Sequence, residues 1–180
     1  MKLKSIYKLA LNRVGEREGD RQIENIVMAG INAANKIIAM KHKMSKSANI
    51  VTVANVPLPL PTDFVTLIML LQVEVGGGKL SKNEFFIDSN LLLVTNPDSL
   101  GALTMLYNFI PADLTLGTDD DVEPEIQSPY HSALSAYAAY YYYNHKGNGN
   151  AAGMCLSEFN AITGLAEQID NEKTMANSVV

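Results

Sequence analysis

The chain has 180 residues, a net charge of −5 and one cysteine, which excludes an intrachain disulfide and any broad basic surface able to grip a phosphate backbone. It is 47% hydrophobic and 18% charged, the composition of a folded domain, and one domain of this length buries about 70% of its unfolded surface. No apolar run reaches the roughly 18 residues of a membrane helix; the nearest, residues 58–75, holds Pro59, Pro61, Asp63, Gln72 and Glu74.

Residues 2–14 place Leu3, Ile6, Tyr7, Ala10 and Val14 at helical spacing, with Gly15 as the stop. The basic start lacks an apolar centre and a small-residue cleavage site, so no signal peptide is expected. Asp20 is placed to cap a second helix reaching about Lys41, with Ile23, Ile26, Val27, Ile31, Ala34, Ile37 and Ile38 in period. The short loop between the two helices predicts an antiparallel pair.

The period changes at Ser45. Residues 49–55 alternate as a strand. Pro57, Pro59 and Pro61 remove donors and fix φ, so residues 56–61 read as an extended crossing. In residues 64–75 periodicity alone leaves the middle, Leu67 to Leu71, open to helix or strand, but the segment is β-branched at both ends and Gly76, Gly77 and Gly78 follow, which favours a strand running into a hairpin turn. Residues 85–88, 91–95 and 103–110 predict three more strands, parted by Ser89-Asn90 and by Asn96-Pro97-Asp98-Ser99. Residues 111–122 read as a polar loop, most acidic at Asp119, Asp120 and Asp121.

The next helix contains four consecutive tyrosines, Tyr140 to Tyr143. Ser128 is a candidate N-cap, Pro129 a first helical residue, and Gly147 the stop after His145 and Lys146. Leu134, Tyr137, Ala138, Tyr141 and Tyr142 form one apolar stripe, while Ala133, Ala136, Ala138 and Ala139 permit close approach by another helix. Residues 151–170 predict a last helix, which Gly153 and Gly164 weaken by up to about 1 kcal/mol each. The order is two helices, a β-rich insertion over residues 45–122, then two helices over 123–170 and a tail, read as one α+β, mainly α, domain.

Motifs that carry chemistry are scarce. Gly76-Gly77-Gly78-Lys79 lacks the spacing and the Ser/Thr of a phosphate loop and reads as a turn. No G-x-S-x-G, H-E-x-x-H or C-x-x-C occurs, and His42, His131 and His145 have no second histidine at ligand spacing, so each reads as a surface or capping residue. Cys155 reads as a small buried helix residue. Asp119, Asp120, Asp121, Glu123 and Glu125 could hold a hard cation, but the spacing fits no calcium loop and a solvated acidic loop is favoured. The tyrosines could stack bases, although no basic neighbours line a shared groove.

The chain resembles the head-to-tail adaptor (connector) proteins of tailed bacteriophages. The resemblance rests on the opening helix pair, on Leu60-Pro61-Thr62-Asp63-Phe64, and on the strand end Leu106-Tyr107-Asn108-Phe109-Ile110-Pro111. It continues through Pro124-Glu125-Ile126 and Pro129-Tyr130-His131 into the Ala/Tyr-rich helix and the final helix, and so covers nearly the whole chain. It implies a helical bundle with a β insertion and a homo-oligomeric ring of twelve copies in the virion. It also implies a portal protein above, tail or neck proteins below, and genomic DNA passing through the channel without sequence-specific binding. It implies no catalysis and no cofactor; the residues themselves give no expected metal site and no expected membrane partner. The triple-glycine hairpin lies outside the resemblance. The alternatives are a tail-completion or neck protein of a lower ring and, from another class, a small enzyme with an unrecognised site or a single-strand nucleic-acid binder.

Two surfaces are expected to meet other subunits. Four residues in a row sweep roughly 300° of a helix, more than one stripe can bury. Tyr137, Tyr141 and Tyr142 are therefore expected inside, and Tyr140 and Tyr143 in an interface, where tyrosine's rigid area and hydroxyl are favoured. The competing arrangement has the final helix covering Tyr140 and Tyr143 within the chain. The hairpin at Gly76, Gly77, Gly78 and Lys79 is the second expected contact.

Overall fold

A computed structural model of the chain describes the backbone of residues 1–53, 56–73, 78–96 and 100–177, and side chains among these up to residue 164. The described residues form four helices and two small antiparallel sheets, an α+β architecture that is mainly α, as predicted. The chain divides into two compact units, one of residues 1–42 and 111–180, the other of residues 43–110.

The first unit is helical: α1 (Leu3–Val14), α2 (Arg21–Lys41), α3 (His131–His145) and α4 (Gly149–Asn177). Gly15 ends α1 at φ 74°, the left-handed geometry that favours glycine. Asp20 caps α2 as expected, accepting from the N–H groups of Gln22 at 2.8 Å and Ile23 at 3.3 Å. The anticipated α1–α2 pair is not the main contact. Both helices pack chiefly on α3, which also carries α4. A helix that is apolar on every side is most stable in the middle of a bundle, and α3 takes that place.

The second unit is built from strands β1 (Ser45–Thr52), β2 (Leu58–Pro59), β3 (Phe64–Gln72), β4 (Phe85–Asp88), β5 (Leu91–Val94) and β6 (Gly101–Phe109). One sheet has the order β1-β6-β3 and the other β2-β5-β4. β6 is central, and its alternate residues Leu103, Met105, Tyr107 and Phe109 are all buried. β4 and β5 join through Ser89 (φ 49°) and Asn90 (φ 69°), two positive φ values in a row, as a two-residue hairpin of the primed type requires. The proline-rich crossing contributes only the two residues of β2, on the outside of its sheet, where a missing N–H is tolerated. Lys46 Nζ binds Asp63 at 2.9 Å and Tyr107 Oη donates to the same carboxylate at 3.1 Å. Burial favours the neutral acid there, but these two partners outweigh it and hold the Asp63 pKa below its usual value.

Candidate functional site

The tyrosine helix begins differently from the sequence expectation. Ser128, Pro129 and Tyr130 form a turn of 3-10 helix, and Ser128 makes no cap bond; α3 proper starts at His131. The proline fits this tight first turn because its missing N–H has no partner there anyway. His131 is buried rather than a surface residue. Its Nε2 lies 2.9 Å from the Ile126 carbonyl oxygen and its Nδ1 2.6 Å from the Met1 amino group. His42 stands against Tyr130, ring centroids 4.7 Å apart. The other end matches expectation: Gly147 sits at φ 73°, and its N–H donates to the Asn144 carbonyl.

The four tyrosines have four different environments. Tyr142 is 5% exposed, and its hydroxyl donates to Glu16 at 2.5 Å. That bond, with burial second, pushes its pKa up to about 12. Tyr143 is half-buried, and its hydroxyl donates to the Arg13 carbonyl at 3.2 Å. Tyr140 is half-buried against Tyr137, centroids 5.1 Å apart, and Tyr137 in turn meets Phe159 of α4 edge-on at 4.9 Å. Tyr141, expected inside, is 39% exposed. The reason is the approach of α2: a Cβ placed on Gly30 would lie 2.7 Å from the Ala138 Cα and 3.0 Å from the Tyr141 Cβ. Helices this close leave no room for a ring between them, so the Tyr141 ring turns outward. The single stripe expected of this helix is likewise replaced by burial on several sides, at Ala133, Leu134, Ala136, Ala138 and Ala139.

Two residues that organise this site escaped the sequence reading. Gly30 reads as a helix-weakening residue until Ala138 is seen opposite it. Arg13, a basic residue in the last turn of α1, reads as a complement to the helix dipole. Instead it joins three helices. Its Nε donates to Ser135 Oγ at 3.1 Å, its guanidinium reaches Glu158 of α4 at 2.5 Å, and its carbonyl accepts from Tyr143. Cys155 is half-buried on α4, its thiol pKa raised by burial and then by Glu158.

The acidic loop folds onto the start of the chain. Lys2 pairs with Asp121 at 2.8 Å and Lys4 with Asp120 at 3.0 Å, while the Leu3 N–H donates to the Val122 carbonyl at 2.9 Å. Asp120 also accepts from the Gly117 N–H, and this bond, then Lys4, lowers its pKa. Among the described residues no group of three His, Cys, Asp or Glu could hold a metal ion. No helix among them is long and apolar enough to cross a membrane.

Of the second expected contact, Gly76 and Gly77 lie outside the described residues. Gly78 and Lys79 are exposed. The Gln72 N–H donates to the Gly78 carbonyl at 3.1 Å, and Leu71 bridges Lys79 in antiparallel fashion. The two expected contacts fall in different units, Tyr140 and Tyr143 in the helical one, Gly78 and Lys79 in the strand one.

In comparisons with known proteins, the family described as SU10 adaptor protein matches residues 1–180, the whole chain. No curated protein matches it.

Proposed function

The chain belongs to the SU10 adaptor protein family, a phage head–tail adaptor family, and from that membership we propose that it forms a closed ring beneath the portal. In this reading the ring has twelve copies, joins capsid to tail and continues the DNA channel. The portal lies above it, tail or neck proteins below. An adaptor family is a family of structural proteins, and the reading involves neither catalysis nor a cofactor. The single observation that carries it is the family match over all 180 residues. A ring follows when head-to-tail contacts between copies close by rotation.

Tyr140 and Tyr143, with the outward ring of Tyr141 beside them, are proposed as one contact with a neighbouring subunit or the portal. Gly76, Gly77, Gly78 and Lys79 are proposed as the other. The channel wall is acidic or neutral, because a basic wall would hold a polyanion and slow its passage. The pairing of Lys2 and Lys4 with Asp121 and Asp120 agrees with such a wall, since both lysines are engaged locally.

The test is imaging of portal complexes assembled with this protein. The expected image is a symmetric ring of this chain directly against the portal. Its absence there, or its presence at one copy, overturns the reading; a ring separated from the portal by another protein assigns it to a lower position in the neck.

A further inference from the structure

Within the strand unit, a cleft of about 790 Å³ runs along β3 and is bounded on its other side by Phe85, Phe86 and Ile87 of β4. Both walls are outer strands of their sheets. β3 pairs with β6 on one side only. On the other side residues 70–72 meet residues 78–80. Among the described residues no strand pairs residues 65–69 along that edge. The side chains beside this edge are apolar and open: Val65 is 45% exposed, Ile68 39% and Phe86 52%. The ladder with β6 skips Val65 and Ile68, so the edge is irregular at those two residues, but unmatched N–H and C=O groups next to exposed apolar side chains remain a template for another strand.

The charge at the cleft is one-sided. Among the described residues that line it, Lys79 and Lys82 are the charged ones; both are exposed, and among the described residues neither has an acidic partner. We propose that this cleft docks an extended segment of a different protein, apolar on one face and bearing carboxylates, which adds a strand to the free edge of β3. Main-chain bonds to β3 hold the segment, alternate side chains enter the cleft, and the carboxylates settle against Lys79 and Lys82. A second copy of this chain fits less well. Its other outer strand, β1, is exposed at Val51 and continues to exposed Val53, but residues 45–56 hold no carboxylate and one lysine, Lys46. Docking it here would set like charges together. The charge requirement governs the choice and register of partner more than the strength of binding.

The test uses the full chain and a fluorescent, end-blocked octapeptide of alternating valine and glutamate. Two control peptides carry lysine in place of glutamate, or N-methyl groups along one edge. The glutamate peptide is expected to bind saturably and at least about tenfold more tightly than either control, because charge and main-chain pairing are both required. Lys79→Glu with Lys82→Glu, both on the surface, is expected to reverse the order of the charged peptides. In the unaltered protein, bound peptide is expected to slow amide exchange in residues 65–69. Equal binding of the glutamate and lysine peptides overturns the proposal, as does indifference to N-methylation or protection confined to other residues. Concentration-dependent self-association of the chain alone, abolished by Ile68→Lys, also overturns it in favour of a second copy.

Discussion

α3 and β3 are both largely apolar segments, and they end in opposite conditions. α3 is enclosed by α1, α2 and α4. β3 has β6 on one side and, among the described residues, no strand along residues 65–69 on the other. A helix satisfies its backbone groups internally, so enclosing it needs only side chains that fit. A strand leaves half of its backbone groups to a neighbour, and where the chain supplies none, the edge stays exposed for a partner. The difference places most of α3 inside its unit and leaves part of β3 open, although each carries an exposed apolar side chain, Tyr141 and Ile68, both 39% exposed.

The contrast is tested most severely by truncation. Leu134→Ala in α3 is expected to cost roughly 2–5 kcal/mol, since Leu134 is fully buried. Ile68→Ala in β3 is expected to cost much less, because Ile68 is 39% exposed. Denaturant titration of both variants decides; equal losses would break the distinction. Next in size is Gly30→Ala, which drives a methyl group to 2.7 Å from the Ala138 backbone. Overpacking of this kind costs about 1–3 kcal/mol, read as a lower melting temperature of the helical unit.

Smaller effects sharpen the comparison. Tyr143→Phe removes the bond to the Arg13 carbonyl and is expected to cost about 0.5–1.5 kcal/mol. Tyr140→Phe should cost almost nothing, while Tyr140→Ala should lower assembly onto the portal more than it lowers the melting temperature. A loss of free-subunit stability on the scale of Leu134→Ala would place Tyr140 in the core instead. In the strand unit, Asp63 has a depressed pKa, so its contribution is complete above the ordinary carboxylate value of 3.8. That contribution is lost as the pH falls through the lower value of the folded state. Asp63→Asn is therefore expected to flatten the acid limb of stability below about pH 4, measured by amide exchange at β6 across the pH range.

Most elements were legible in the sequence because the signals for elements are local; the first strand, expected over residues 49–55, lies at Ser45–Thr52, and the last helix, expected over residues 151–170, continues to Asn177 through residues expected to be a tail. The 3.6 period gave α1 and α2 almost to the residue, alternation and turn residues gave β4 and β5, and Gly15, Asp20 and Gly147 marked ends where the structure has them. What sequence could not place was enclosure. One apolar stripe on α3 was the natural reading of a helix taken alone; three neighbouring helices bury several faces, and the approach of α2 at Gly30 turns Tyr141 outward. Arg13 and His131 became structural through partners 122 and 130 positions away in the chain, Ser135 and Met1. The open edge of β3 is likewise a fact of strand order, which no local pattern records. Sequence determined which segments are helices and strands, since backbone preference and periodicity act over a few residues. Tertiary structure alone decided which of their faces are covered, because covering a face depends on neighbours brought from distant parts of the chain.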